Sequence, residues 1–573
     1  MIPSPLRSQV HAAIERAWAA AIESGALPGL PDDAARPAIE VERPANPEHG
    51  DLATNLAMRL ARPYRRGPME LATLLAAKLV RDASQDDNDS PIEAVEVAPP
   101  GFMNIRLRAD ALAATVDAIL GEPDAWGRAA AASSRASVNV EFVSANPTGP
   151  LTIGNARGAF IGDLLSRVLE AGGQRVTREY YFNDSGGQID NLGASVVAVR
   201  RGEPVPEDGY AGDYVQELAA TVPDDVWSAA TAEGADSGAL VGNWAAGRVR
   251  EGIEASLERL GVHFDVWTSE ARLHDEGWVD RAVERLREHG HVYEQDGALW
   301  FRSTEFGDDK DRVIYRSDGR PTYFAADIGY VTEKFSRGFD HLIYIWGADH
   351  HGTVARVRNA ATAMGYDRES VQILLYSWVR FVRDGVEVSM SKRAGEFITL
   401  DELLSEVGVD AARWFFASRA ATTSIDFDIE QMRGLREALE RGDHEEASKL
   451  PVYYVQYAHA RIASIVRKAS EAGIAPAASV AGTLDDGPEA ALARALVRFP
   501  EVVEDAVLAE ETQGITAYAT ELATGLHAFY RDARVIDPAE PERSAARLAL
   551  ARAAQITLAR TLGLLGISAP ESM

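Results

Sequence analysis

Between Ser137 and Phe182 the sequence reads strand, loop, helix and strand again, and no other stretch restricts the possible fold as much. Val138 to Val143 is a strand, and Ser144 to Leu151 is a Pro/Gly loop. Gly154 to Ala171 carries Phe160, Ile161, Leu164, Leu165 and Val168 on one face at helical spacing, and Gly172-Gly173 stops it. Val176 to Phe182 is a second strand. A helical crossover returns the chain to the end of the sheet it left, so the two strands lie parallel. The expected core is an α/β domain on a parallel sheet.

The sheet resumes at His341 to Trp346, turns through Gly347 to Gly352, enters a helix over Thr353 to Met364 and adds a strand at Val371 to Tyr376. Ahead of it, Val10, Ala13, Ile14, Trp18 and Ala21 define one helix face within residues 1–26. Ala38 to Val41 alternates as a strand, and Pro44 to His49 is a loop. Helices are expected from about Leu52 to Leu60 and from Glu70 to Arg81, and strands over Glu93 to Val97 and Phe102 to Leu107. The acidic tract Gln85 to Asp89 reads as a solvated loop, and Gly121 to Ser134 as a boundary. After Leu400 the pattern is helical throughout: Asp401–Glu406, Val409–Ala417, Val452–Lys468, Ala490–Ala509, Thr516–Tyr530 and Ser544–Leu565. Three units are expected: an α+β domain over 1–120, the sheet domain over 121–400 with an acidic insertion at 203–240, and an α-helical domain over 401–573.

Composition narrows the chemistry. The absence of cysteine excludes disulfides, thiolate zinc sites, iron–sulfur clusters and cysteine nucleophiles. A formal charge of −29 is unlike the basic footprint of a general polyanion binder, so any nucleic-acid contact uses a local basic face. Only Lys78, Lys310, Lys334, Lys392, Lys449 and Lys468 are lysines, which makes each worth placing. Residues 1–26 are not a signal peptide, because Glu15, Arg16 and Glu23 interrupt any apolar segment, and no stretch is apolar enough to span a membrane. A cytoplasmic location is expected.

Two loops carry the functional signal. Ser144 to Asn155, with Pro147, Gly149, Leu151, Thr152 and Gly154, leaves the carboxyl end of a parallel strand and opens a helix, the place where α/β sheets bind ligands and free N–H groups meet phosphate. Some 240 residues later, Glu387 to Gly395 includes Ser389, Met390, Ser391 and Lys392, a Ser/Lys loop able to fold over phosphates. Taken alone, the first loop is more often a structural turn and the second more often a solvated basic loop; the pair, in this order, carries the signal. Asp349, His350 and His351 suggest a metal, but adjacent histidines diverge in direction, and no metal site is expected.

Together the loops resemble the two signature loops of class I aminoacyl-tRNA synthetases, written HIGH and KMSKS. The text around them resembles the arginyl-tRNA synthetases in particular. Glu141 to Leu151, Tyr180 to Asp184, Trp346 to Gly352, Met390 to Gly395, Val407 to Arg413, Pro451 to His459 and Leu565 to Met573 all fit. The resemblance implies a class I Rossmann-like catalytic domain between an α+β N-terminal domain and an all-α anticodon-binding domain. It implies arginine activation by ATP with Mg2+, without zinc, and arginyl transfer to the terminal adenosine of tRNA(Arg), in class I first to the 2′-hydroxyl. A monomer is common in the family, which generally needs its tRNA for activation.

By the same resemblance Lys392, Thr152 and Asn155 are catalytic. Pro147, Gly149, Leu151, Gly154, Gly347, Asp349, His350, Met390, Ser391 and Lys392 face ATP. Glu141, Ser144, Asn146, Tyr323 and Asp327 bind arginine, with Asp327 on the guanidinium. Phe102 and Asn104 face the D-loop of tRNA, and Tyr530 and Arg534, four apart, suit stacking and phosphate contact in the anticodon. Three departures stand out: Thr152 and Asn155 replace the usual histidines, keeping hydrogen-bond donors but no charge, and Ser389 replaces the first lysine of the second loop. Two alternatives fit the same residues: a class I synthetase of another specificity, and a catalytically decayed tRNA-binding paralogue.

Overall fold

The computed structural model describes residues 5–31, 34–85, 90–129, 136–388, 397–484, 487–537 and 539–573. Its centre is a five-stranded, all-parallel sheet in the order Val371–Tyr376, His341–Gly347, Ser137–Glu141, Arg175–Phe182, Val266–Ser269. The first strand in sequence is the middle one. The chain builds outward to one side and then returns to the other, so the strand order reverses between Ser137–Glu141 and His341–Gly347. A crevice forms at such a reversal, outside the carboxyl ends of the strands.

Helix Ile153–Ala171 crosses from the first loop and is buried along most of its length. Gly162 lets it come this close: a Cβ there would lie 2.1 Å from the Phe142 ring. The middle strand ends at Glu141, short of the expected Val143. Val143 and Ser144 instead adopt φ of +65° and +43°, and Ser144 N–H closes a three-residue turn on Phe142 carbonyl at 2.9 Å. A β-branched residue in that region is strained, and such strain collects at ligand sites.

The N-terminal unit has the expected helix, Leu6–Glu23, burying Val10, Ile14, Ala17 and Trp18. It packs by a three-stranded antiparallel sheet in the order Leu52–Thr54, Phe102–Leu107, Ile92–Ala98. Leu52–Thr54 is thus a strand, and the expected helix begins only at Leu56. Pairing with Met103 to Ile105 overrides the local helical pattern. Ala38 to Val41 is not a regular strand; one bridge, Glu42 to Ala53, remains of it. Gln85 ends a helix that starts at Pro68, while Asp86 to Asp89 and Ala130 to Ser134 lie outside the described residues.

The C-terminal part is not wholly helical. Ile425–Asp428 is a strand, parallel to Val379–Arg383, which ties the segment after Leu400 to the sheet domain. The expected helix Ala490–Ala509 is two, Pro488–Leu496 and Phe499–Ala509. Pro500 lacks an N–H and would clash within a continuous helix, so it occupies a first turn instead. The insertion supplies helices Asp213–Thr221 and Asp224–Ala230, and a small antiparallel sheet spans Val292 to Tyr315. Arg413, 2% exposed, joins these units: it bonds Asp163 Oδ2 at 2.7 Å and the carbonyls of Leu260, Gly261 and Leu565. No helix among the described residues is long and apolar enough to cross a membrane.

Candidate active site

A cavity of about 700 Å3 opens at the strand-order reversal. Its walls include Glu141, Ser144, Asn146, Thr152, Gly154, Asn155, Tyr323, Asp327, Gly347, Asp349 and His350, so the fold gathers candidates from across more than 200 residues of chain into one space. Pro147, Gly149 and Leu151 do not line it. They form its support: Leu151 is buried, and Gly149 packs against Tyr214, whose ring would be 3.2 Å from a Cβ. Tyr214, from the insertion, donates its hydroxyl to Thr148 carbonyl at 2.9 Å.

The helix start at the first loop is stapled internally. Asn155 Oδ1 accepts from the Thr152 N–H at 3.0 Å and from the Thr152 hydroxyl at 3.1 Å. This reciprocal cap leaves the Asn155 amide NH2 as the side-chain donor, while the Thr152 hydroxyl is engaged. The Ile153 N–H goes to Ile398 carbonyl. Met390, Ser391 and Lys392, with Ser389, lie outside the described residues. Asp349 and His350 are half exposed and 3.6 Å apart. Among the described residues, no group of three or more His, Cys, Asp or Glu side chains is placed to hold a metal ion.

The other wall is acidic. Among the described residues Asp327 has no hydrogen-bond or ion-pair partner, and its pKa is pushed up to about 7, first by burial, then by the charges of Glu141 and Glu270, with Arg356 pulling the other way. Its charged form is therefore waiting for a cation. Glu270 accepts the Tyr181 hydroxyl at 2.6 Å. Glu141 is nearly buried and accepts from Lys334 Nζ at 2.7 Å. Ser144 accepts the Tyr181 N–H, and Asn146 is spent at both ends, donating to Gln188 and accepting from Asn183. Tyr323 stands at the cavity surface, 75% exposed.

Several wall residues carried no assigned role in the sequence reading: Glu270, Tyr330, Tyr344, Trp346, Tyr376 and Trp378. Tyr181 stood within a quoted motif. Glu270 follows strand Val266–Ser269, and the position at a strand's carboxyl end is the signal that could have found it.

The outlying candidates do not enter this cavity. Phe102 is exposed, whereas Asn104, on the same face of that strand, is buried. Tyr530 is half-buried with its hydroxyl unpartnered, and the Arg461 guanidinium lies 5.6 Å from its ring centre. Arg534 falls beyond helix Gln513–Asp532, after extended Ala533, so it does not share a helical face with Tyr530. It is exposed and faces Asp537.

Three family descriptions match the chain in tandem. "Arginyl tRNA synthetase N terminal domain" covers residues 6–107, "tRNA synthetases class I (R), catalytic domain" covers 115–204 and 244–422, and "DALR anticodon binding domain" covers 455–573. The gap in the catalytic match coincides with the insertion. An arginine–tRNA ligase of Bacillus licheniformis is 42% identical over 561 residues, 95% of this chain and 96% of the relative. A structure described as a putative arginyl-tRNA synthetase of Campylobacter jejuni is 32% identical and superposes with a TM-score of 0.71, covering 82% of this chain and 100% of its own. The arginyl-tRNA synthetase of Thermus thermophilus shares the fold at 24% identity, with a TM-score of 0.74 over 99% of this chain and 100% of its own.

Proposed function

The chain belongs to the arginyl-tRNA synthetases, ATP-dependent ligases that join arginine to tRNA, and from that premise we propose which of its residues carry each step. ATP enters with Mg2+ as a substrate complex. The arginine carboxylate attacks the α-phosphate, forming arginyl-adenylate and releasing pyrophosphate. The arginyl group then passes to the 3′-terminal adenosine of tRNA(Arg). The attacking carboxylate is already ionised, so the first step needs positioning and charge stabilisation rather than a general base.

The observation that carries the reading is the carboxylate of Asp327, without a hydrogen-bond or ion-pair partner among the described residues and facing the same cavity as the helix start at Gly154. Asp327 and Glu270 take the guanidinium, which suits planar, bidentate carboxylate contacts. Glu141, Ser144 and Asn146 shape the other end of the amino-acid site, and Tyr323 covers it. Gly154 and Asn155 meet the phosphates, with Thr152 acting by holding the Asn155 amide in place, Gly347, Asp349 and His350 take the nucleoside, and Lys392 with Met390 and Ser391 supplies charge to the transferring phosphate. Pro147, Gly149 and Leu151 hold the first loop in place. Phe102 is the exposed tRNA candidate, Tyr530 offers the uncovered part of a half-buried ring, and Arg534 adds an exposed cation. Units 1–120, 121–400 and 401–573 divide these tasks, in one cytoplasmic chain acting as a monomer.

Pyrophosphate exchange with cognate tRNA tests this. Arginine should support exchange and citrulline, its neutral isostere, should not. Equal exchange with both would remove the carboxylate reading. No exchange by the wild type would leave a tRNA-binding paralogue.

A further inference from the structure

The insertion between the two matched catalytic segments reaches the first signature loop. Its helix Asp213–Thr221 carries Tyr214, whose hydroxyl donates to the Thr148 carbonyl at 2.9 Å. The same ring lies against Gly149, where a Cβ would approach it to 3.2 Å, and its centre is 6.4 Å from that of the Phe397 ring. Gly149 is not in the left-handed region, so the neighbouring ring rather than the backbone angle leaves little room for a side chain there. A phenylalanine would make the same apolar contacts. The hydroxyl does something else: it satisfies the carbonyl of Thr148, a residue only 6% exposed.

The insertion is itself held firmly. Ser195 Oγ accepts the Tyr210 N–H at 2.9 Å, and Arg200 donates to the carbonyls of Ala219 and Val222. Ser195 and Arg200 both lie on helix Gly187–Arg201, whose Gln188 accepts from Asn146 at 2.9 Å. The turn from Asn146 to Gly149 is therefore held at both ends, by Gln188 and by Tyr214. It follows the left-handed Val143 and Ser144 and leads into the helix start at Thr152, so a strained entry and a ligand-facing exit depend on the same few residues.

Resting on the assignment of the first loop to the phosphates of ATP, we propose that Tyr214 is a positioning residue for adenylate formation. It fixes the loop whose far end carries the Gly154 and Asn155 donors, and through Phe397 it lies against the segment that anchors the Lys392 loop. Donors aimed at developing charge stabilise it only when held in place beforehand, and a displacement of about 1 Å caused by a distant change costs on the order of 100-fold in rate. The arginine wall rests on other elements, Glu270 on helix Glu270–Asp275 and Asp327 on helix Tyr323–Ser336. Tyr214 therefore acts on the rate and not on arginine binding.

The test compares wild type, Tyr214→Phe, Asn155→Ala and the double variant in a single turnover of pyrophosphate release, at saturating arginine and ATP with cognate tRNA. A single-turnover rate constant is independent of the fraction of molecules that are active. Tyr214→Phe keeps the ring and removes only the hydroxyl. It should slow release about tenfold, with the KM for arginine in steady-state exchange within about twofold of wild type. Because Tyr214 acts through the loop's donors, the slowing in the double variant should fall well short of the product of the two single effects. A wild-type rate in folded Tyr214→Phe, a raised KM for arginine at unchanged rate, or effects that multiply in full overturn the proposal. If Asn155→Ala and Lys392→Ala both react at the wild-type rate, the assignment of the two loops to phosphate is itself wrong.

Discussion

Thr152 and Thr399 pair across an antiparallel bridge: Ile153 N–H reaches Ile398 carbonyl at 3.2 Å, and Leu400 N–H reaches Leu151 carbonyl at 2.9 Å. The first signature loop is therefore pinned, backbone to backbone, to the segment that follows the second. Phe397 packs near Tyr214, which also braces Thr148. The anchor of the Lys392 loop thus sits beside the helix start proposed for phosphate, although the two loops lie some 240 residues apart in sequence.

This anchoring frames the role of Lys392. Lys392→Ala should remove an interaction made mainly in the transition state. We expect kcat and kcat/KM to fall together, by on the order of 100–1,000-fold, with little change in ATP binding. Steady-state exchange kinetics at varied ATP check it; a raised KM for ATP at unchanged kcat would assign the lysine to ground-state binding.

Asp327→Ala should act on the amino acid alone. Loss of a charged hydrogen bond costs roughly 1.5–3 kcal/mol, so kcat/KM for arginine should drop about 10–100-fold while the KM for ATP holds. Unchanged arginine kinetics would place the guanidinium elsewhere.

The pH dependence follows from the same carboxylate. Its pKa is raised to about 7, by burial first and by Glu141 and Glu270 next. Guanidinium binding favours the ionised form, so arginine affinity should fall as pH drops below about 7 and level off above it, with a proton released on binding under acidic conditions. The sign for stability is opposite. Because the folded value lies above the ordinary carboxylate value, stability from this group is greatest at low pH and is lost as pH rises towards 7. Calorimetry of arginine binding in buffers of different ionisation enthalpy measures the proton count; no proton exchange at pH 6 would contradict it.

Arg413→Met should loosen the junction of the units. Removing one partner of a buried pair typically costs about 3–5 kcal/mol, because the other charge is stranded; here Asp163 keeps its bond from Arg167 at 2.8 Å and an ion pair with Arg178 at 3.9 Å, which places the loss at the lower end of that range. Thermal unfolding should begin at a markedly lower temperature. A melting curve matching wild type would show the pair to be dispensable.

Tyr530→Ala probes the tRNA end. If the ring stacks on a base, tRNA binding should weaken by about 1–3 kcal/mol. Exchange at sub-saturating tRNA should fall and recover as tRNA is raised. A defect persisting at saturation points instead to lost packing around the half-buried ring.

Local chemistry made much of this protein legible from its sequence. The apolar runs and Gly stops around Ser137 to Phe182 dictate a parallel crossover, since backbone periodicity is a property of neighbours in the chain. The signature loops, Asp327 and Lys392 are likewise visible as residue types in a pattern. Tertiary structure decided what depends on residues distant in sequence. Leu52–Thr54 became a strand only because Met103 to Ile105 offered hydrogen bonds, and Ile425–Asp428 only because Val379–Arg383 did. Arg534 lost its place beside Tyr530 when the helix ended at Asp532. The pairing of Lys334 with Glu141, and the lack of a hydrogen-bond or ion-pair partner for Asp327 among the described residues, belong to the same class. Both are set by which side chains meet in and beneath one cavity wall, and charge there is governed by distance and burial, neither of which is written in chain order.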